Sequence, residues 1–235
     1  MRYAIYFAPP EESRLNRAAV SWLGRCAFSG NVIAGPASKR LTAAEAAYHT
    51  AAARRYGFHA TIVAPFTLSP DETEDSLIAA LSNYAGQAQG LVIPRLVLKR
   101  LDGFFALMPD HQSSELAEFA GDIVRKFNAF GAPLSESEMQ RRLASVKTAS
   151  QRQNLVQWGY PYVFDDFRFH MTLTGRVPDS AAPSVEAAII DHFGSLIGAP
   201  LEIDALALFQ EAEPGAPFVI RSFHEVVPQA ARKTA

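Results

Sequence analysis

Apolar and polar positions follow one another along this chain with two different periods, and each period predicts a kind of secondary structure. Short apolar or alternating runs predict strands at 3–8, 56–65, 95–108, 167–177 and 201–226. Apolar residues at helical spacing, or runs rich in alanine, predict helices at 11–28, 41–54, 71–88, 114–129 and 183–193. Asp102-Gly103 and Pro214-Gly215 predict turns, so 95–108 and 201–226 are predicted hairpins.

The order strand, helix, hairpin occurs twice. His59 precedes Gly103 by 44 residues (103 − 59), and His170 precedes Gly215 by 45 (215 − 170). Two such units in one chain indicate an internal duplication, and duplicated units commonly pack about a pseudo-twofold axis. The predicted fold class is therefore α+β, with two pseudo-symmetric lobes whose antiparallel sheets line a central groove and whose helices lie outside.

We expect a single bilobal domain over residues 1–227, with lobes of approximately 1–110 and 111–227. Residues 131–166 lie outside the repeat and form a candidate lid insertion. A disordered tail is expected over 228–235.

The insertion has two interpretations. Ser135 and Glu138 have the spacing of a capping box, which predicts a short helix. The segment is locally basic and ends in an aromatic loop, 158–162. It is either a helical pair with a solvated charged face or a lid that presents basic and aromatic groups to a ligand.

Composition excludes several classes of protein. Of 235 residues, 49% are hydrophobic and 20% charged, as in an ordinary globular protein. The net charge of −2 gives no global positive field that would favour long nucleic acids or an anionic membrane. The single cysteine, Cys26, cannot form an internal disulfide. No signal peptide and no membrane-spanning run is visible, so we expect a cytoplasmic monomer without membrane contact.

One short pattern occurs in both repeats, as Phe58-His59-Ala60-Thr61-Ile62 and Phe169-His170-Met171-Thr172-Leu173. On a strand, residues two apart point to the same side. Each histidine therefore shares a face with its threonine, whereas the apolar residues between them should face the core. If the two strands lie close together, two imidazoles and two hydroxyls converge on one cleft.

Such a cleft suits phosphodiester chemistry. A base must deprotonate the attacking water or hydroxyl, and an acid must protonate the departing alkoxide; histidine, with a pKa of about 6.5, can do either. Threonine hydroxyls can donate to the non-bridging oxygens. The hypothesis makes His59 and His170 catalytic and Thr61 and Thr172 phosphate-binding, and it requires no metal and no cofactor.

Further candidates lie near these motifs. Arg168 is two residues before His170, so it either neutralises phosphate charge or forms a surface ion pair. Thr174 should share that face, and Arg55 lies near the entrance of the first strand. Tyr160 and Tyr162 either stack on a base or sugar or cover apolar surface.

These paired motifs resemble those of the two-histidine (2H, LigT-like) phosphoesterases. Residues 56–61 and 167–175 are most similar to an uncharacterised branch whose genes accompany phosphonate-utilisation operons. The resemblance implies two lobes that each contribute a His-x-Thr motif to a central groove. It also implies a small sugar or nucleotide cyclic phosphate as substrate, with a 2′,3′- or 1,2-cyclic ring.

Three alternatives stay open. The chain could act on RNA ends or 2′-5′-linked oligonucleotides as a phosphoesterase or ligase, or it could be a non-catalytic module that binds a phosphorylated ligand. A metal hydrolase that adds Asp165 or Asp166 to the histidines is a third, although this is a poor ligand set. The remaining histidines, His49, His111, His192 and His224, are interpreted as structural.

Overall fold

The structure is a computed structural model that describes residues 1–36 and 38–228, so all but the first residue of the predicted disordered tail lies outside the described residues. The strands are β1 Arg2–Phe7, β2 Ala60–Phe66, β3 Leu91–Ile93, β4 Leu96–Leu101, β5 Phe104–Pro109, β6 Met171–Arg176, β7 Leu201–Ile203, β8 Ala205–Glu211 and β9 Val219–Glu225. The helices are α1 Arg14–Leu23, α2 Ala43–Tyr56, α3 Glu74–Ala85, α4 Ser114–Phe127, α5 Glu136–Leu143, α6 Ala149–Trp158 and α7 Ala182–Phe193.

Seven strands form one antiparallel sheet in the order β4-β5-β6-β2-β1-β8-β9, and β3 pairs with β7 in a separate two-stranded sheet. The predicted α+β class with antiparallel sheets is thereby confirmed. The hairpins are exchanged between the repeats. The β4–β5 hairpin of the first repeat pairs with β6 of the second, and the β8–β9 hairpin of the second reaches β2 through β1. The division into lobes at residue 110 stays a prediction. Where β6 pairs with β2, the sheet has strands from both halves of the chain on each side.

The seam between the repeats is narrow. β2 and β6 are paired at one position, Ala60 with Met171, and each of these residues directly follows a candidate catalytic histidine. The predicted alternation holds on both strands: the apolar residues that flank each histidine and threonine are at most 3% exposed, namely Phe58, Ala60, Ile62, Phe169, Met171 and Leu173. The opposite face of the seam is therefore free for the polar side chains.

The helices cover the apolar face of the sheet. Trp22 of α1 is fully buried, and its indole Nε1 donates a 2.9 Å hydrogen bond to the carbonyl of Leu173 in β6. A buried indole needs such a partner, so this bond fixes where α1 crosses the strand. No helix among residues 1–36 and 38–228 combines the length and the apolar character needed to cross a bilayer.

The ends of several elements differ from the predicted ones. The predicted strands 56–65 and 167–177 begin later, at Ala60 and Met171, because α2 continues to Tyr56 and a short 3-10 turn occupies Phe164–Asp166. The two histidines thus lie one residue before their strands. The predicted hairpin 201–226 is divided, since Leu201–Ile203 pairs with β3 instead.

Two local predictions are confirmed. Ser135 and Glu138 form the reciprocal hydrogen bonds of a capping box at the start of α5. Asp102 and Gly103 form the β4–β5 turn with φ of 46° and 92°.

Gly57, which ends α2, is a position where only glycine fits. Its backbone has φ 78° and ψ 179°, a conformation that is essentially closed to other residues. A Cβ there would lie 2.7 Å from the Cβ of Ala27. We expect Gly57→Ala to lower the free energy of unfolding by at least about 2 kcal/mol in urea titrations.

Gly86 is the matched control for this substitution. It also follows a helix, but its φ of −64° is open to alanine, and its nearest contact would be an ordinary 3.5 Å. Gly86→Ala should therefore be neutral or slightly stabilising. Equal destabilisation by both variants would contradict the account of Gly57.

Candidate active site

The two histidine rings are held in the same way. Nδ1 of His59 lies 3.0 Å from the carbonyl oxygen of Gly57, and Nδ1 of His170 lies 2.7 Å from that of Arg168. A carbonyl can only accept, so in both rings Nδ1 carries the hydrogen and Nε2 presents a lone pair. The bond runs to the residue two positions earlier in both motifs. The repeat seen in the sequence is therefore also a repeat in geometry.

The strand register crosses the two motifs. Since Ala60 is opposite Met171, continuing the antiparallel register by one residue sets His59 opposite Thr172 and Thr61 opposite His170. The hydroxyl of Thr61 also lies 3.3 Å from Nε2 of its own His59. Each histidine is thus two residues from the threonine of its own motif, and the register sets it opposite the threonine of the other motif.

Two adjoining cavities contain these side chains. The larger cavity, of about 920 Å³, is lined by His59, Thr61 and Thr172. The smaller cavity, of about 310 Å³, is lined by His170 and again by Thr61. Tyr160 also lines both, so the cavities share a wall. The structure thereby brings the four predicted motif residues together around one groove.

His59 lies in an aromatic environment. The ring of Tyr6 stacks on it with centroids 3.9 Å apart and planes 20° from parallel, and Phe209 lies 5.8 Å away. Burial, together with the smaller effect of the charge on His170, lowers the pKa of His59 to about 4, against the opposing effect of the Gly57 carbonyl. His170 lies 5.8 Å from Phe104, and burial lowers its pKa as well. Both rings are therefore neutral at pH 7 in the free protein.

A family model described as "Protein of unknown function (DUF1045)" matches residues 61–219, which is more than half of the chain. The chain belongs to this family. Two curated relatives are both called ribose 1,5-bisphosphate phosphokinase PhnN. The one from Janthinobacterium sp. (strain Marseille) is 36% identical over 225 residues, and the one from Laribacter hongkongensis (strain HLHK9) is 37% identical over 218. Each alignment covers 93% of this chain, and the chain spans about half of the relatives' length (49% and 50%).

Solved structures similar to this DUF1045 chain include TT0787 of Thermus thermophilus, with 14% identity and a TM-score of 0.47 over 98% of this chain and 100% of that one. E. coli LigT complexed with 3′-AMP has 10% identity and a TM-score of 0.42, over 96% of this chain and 98% of that one.

The other predicted site residues of this DUF1045 chain are divided between the two cavities. Arg168 and Tyr162 line the smaller cavity beside His170. Arg55 lines the larger one, where its guanidinium binds Glu211 and lies 5.3 Å from the ring centre of Tyr56.

Thr174 lies at the edge of the groove, and its hydroxyl is hydrogen-bonded within the sheet. It borders the larger cavity as the alternation predicts, but it is 1% exposed. Its Oγ1 accepts from the amide of Phe105 (2.9 Å) and donates to the carbonyl of Gly175 (2.8 Å). The hydroxyl therefore joins β5 to β6, and a contact between Thr174 and a substrate stays a prediction.

The insertion 131–166 forms a wall of both cavities. It gives Glu138, Arg141 and Arg142 to the larger cavity, Lys147 to the smaller, and Tyr160 to both. This placement favours the second interpretation of the segment, that it presents basic and aromatic groups to a ligand. Closure of the segment as a lid stays a prediction.

Several residues of the groove were missed from the sequence. Tyr6 pairs with Thr61 across β1 and β2, a contact between residues 55 positions apart that has no local signal (61 − 6). Arg142 belongs to the basic stretch noticed in the sequence, but nothing there indicated its cavity. Asp166, suggested for a metal site, accepts from Ser150 and Asn154. Among residues 1–36 and 38–228, no group of three or more His, Cys, Asp or Glu side chains has the geometry to hold a metal.

The burial of His59 should be visible in the titration of its imidazole. Its ring should titrate at about pH 4 in NMR spectra of the free protein. Since an unfolded histidine titrates near 6.5, the unfolded state binds more protons below that pH, so the free energy of unfolding should fall as pH drops from about 6.5 through 4. Tyr6→Ala should admit water and move the pKa of His59 up, towards about 6.5.

Tyr6→Phe is the matched control, because it keeps the stacked ring and should leave the titration of His59 nearly unchanged. A His59 pKa near 6.5 in the unmodified protein, or equal shifts in both variants, would show that stacking on Tyr6 does not desolvate the imidazole.

Proposed function

We propose that this DUF1045 chain is a metal-independent phosphodiesterase that opens a small cyclic phosphate, with His59 and His170 as general base and general acid. The observation that carries the proposal is the paired orientation of the two imidazoles. Each has its Nδ1 fixed by a backbone carbonyl, and each lines the groove beside the threonine of the other motif. Proton transfers in opposite directions on one phosphate need two such groups.

The proposed reaction follows from that geometry. One Nε2 takes a proton from the attacking water while the other imidazole, carrying a proton, gives it to the departing ester oxygen. The hydroxyls of Thr61 and Thr172 donate to the non-bridging oxygens and hold the phosphate in line. The carbonyls of Gly57 and Arg168 stabilise whichever ring becomes positive, because both accept from Nδ1. The general acid gains its proton on binding, since a phosphate anion raises the pKa of an adjacent imidazole.

The names of the relatives support a sugar phosphate as the substrate class. They are named for a phosphokinase that acts on ribose 1,5-bisphosphate, and this chain corresponds to about half of their length. No glycine of this chain is followed by lysine, so it contains no G-x-x-x-x-G-K-[S/T] phosphate-binding loop. We therefore propose a role on a ribose phosphate without transferring the kinase activity. A place in phosphonate use, which the resemblance implied, remains part of this proposal.

The first test is turnover of a panel of nucleoside 2′,3′-cyclic phosphates and ribose cyclic phosphates in the presence of chelator. His59→Gln and His170→Gln should each lower kcat/KM by about 10²- to 10⁴-fold, because each removes one proton transfer. His111→Gln is the control, since the side chain of His111 is 91% exposed and lies outside both cavities. Circular dichroism checks that all variants fold.

Full activity in either active-site variant would refute the two-histidine mechanism, and loss of wild-type activity to chelator would refute metal independence. Binding of a panel member without any turnover would instead support the non-catalytic module.

The pH dependence provides a separate test. The reaction needs one neutral and one protonated histidine, and burial lowers the pKa of both rings in the free protein, so the proton that the acid takes up becomes harder to gain as pH rises. The plot of kcat/KM against pH should therefore be a bell on the acid side. It should fall as pH drops below about 4, where His59 becomes protonated, and it should fall as pH rises through the pKa of His170, which burial lowers from its ordinary value. Tyr6→Ala should move the acid limb upward. A bell centred well above pH 7 would contradict the assignment of these two groups.

A further inference from the structure

The larger cavity carries more positive charge than the catalytic motifs explain. Four arginines line it: Arg2, Arg55, Arg141 and Arg142. The guanidinium groups of Arg2 and Arg55 both bind Glu211, whose side chain is completely buried. Two cations therefore share one carboxylate, and this trio keeps a net positive charge at the cavity wall.

Arg142 stands out among the four. Its Nη1 donates to the carbonyl of Gly159, and its Nη2 donates to that of Pro65 over 2.9 Å. Within the described part of the chain, no carboxylate lies within 4.0 Å of its guanidinium nitrogens. Arg141, its neighbour, reaches Glu138 at 3.8 Å. The two carbonyls satisfy two of its donors but carry no charge, so an anion that joins this partly buried guanidinium would stabilise it.

The charge count gives a surplus at this wall. Four guanidinium groups face two carboxylates, Glu211 and Glu138, which leaves two positive charges (4 − 2), although the whole chain has a net charge of −2. In the proposed function the scissile phosphate takes His59, Thr61 and Thr172 of this cavity as its partners, so the arginines are left for another group. At about 920 Å³, the cavity is also much larger than one phosphate needs and is within the range of sites for whole small molecules.

We infer that the larger cavity binds a second phosphate, a monoester on the same substrate, with Arg142 as its main ligand and Arg2 and Arg55 adding positive charge. This rests on the proposed function, and it narrows the substrate class to a phosphorylated sugar or nucleoside that also carries a cyclic phosphate. The cyclic diester lies at the histidines and the dianionic monoester lies at the arginines. Guanidinium suits this task because its fork of donors matches phosphate oxygens.

Arg142 has a purely structural alternative role. Its bonds to Pro65 and Gly159 join α5 to the end of β2 and to the loop after α6. Loss of that connection would damage the variant towards every substrate alike. The ratio of two kcat/KM values within one variant cancels such general damage, so the test uses a pair of substrates.

The experiment compares a nucleoside 2′,3′-cyclic phosphate that has a free 5′-hydroxyl with the same compound carrying a 5′-phosphate. The wild-type protein should prefer the phosphorylated compound by about 10- to 100-fold in kcat/KM, the effect of charge-assisted hydrogen bonds to one phosphate. Arg142→Gln should abolish most of this preference, and Arg142→Lys should keep part of it because the charge remains. Added salt should also reduce it.

Arg152→Gln is the matched control. Arg152 is exposed on α6 in the same insertion and lines neither cavity, so its loss should leave the preference unchanged. If the wild-type protein opens both compounds equally well, or if Arg142→Gln slows both by the same factor, the second phosphate site is refuted while the proposed function stands.

Turnover of neither compound would count against the proposed function for this class, and binding then decides the second site. Isothermal titration with ribose 5-phosphate should show saturable binding that Arg142→Gln weakens at least about 10-fold and Arg152→Gln does not change. Absence of binding to the wild-type protein would overturn the inference.

Discussion

The candidate site depends on one backbone pairing, between Ala60 of β2 and Met171 of β6. Both residues are completely buried, so the polar residues on either side of each must face away from the core. A slip of one residue would turn a histidine into the core and an apolar side chain into the groove, at a large cost in burial. The packing of the core on one face of these two strands therefore also determines that the histidines and threonines meet on the other face. This is a case in which stability and chemistry are specified by the same residues.

Electrostatic arrangement is the second constraint. The chain is slightly acidic overall, yet the wall of the larger cavity is basic. Glu211 has a part in this, because its buried carboxylate binds both Arg2 and Arg55 and also accepts from the amide of Gly215. Burial raises the pKa of Glu211, but the hydrogen bonds from Arg2, Gly215 and Arg55 together lower it below its ordinary value. The carboxylate therefore stays ionised. A buried carboxylate of this kind adds little to the stability of the fold, and its main effect is to hold the two arginine side chains in position.

The sequence predicted what is local and periodic. The alternation around His59 and His170 correctly gave the buried and the groove-facing residues, and Asp102-Gly103 correctly gave a hairpin. The predicted start of the strand that contains His59 was wrong. The φ of 78° at Gly57 allows α2 to continue to Tyr56 before the chain becomes extended. Contacts between distant residues carry no such signal. The stacking of Tyr6 on His59 requires β1 to lie beside β2, and the engagement of Thr174 with Phe105 requires β5 beside β6.

The exchange of hairpins explains why those distant contacts matter most. β6 belongs to the second repeat but lies between β5 and β2 of the first, so its two edges are satisfied only when both repeats are present. The same holds for the groove: Thr61 borders both cavities, His170 borders one, and Tyr160 of the insertion borders both. A single repeat would expose strand edges and carry one imidazole without its counterpart. The two repeats therefore form together a site that neither could form alone, because the exchanged hairpins and the groove both need strands from each.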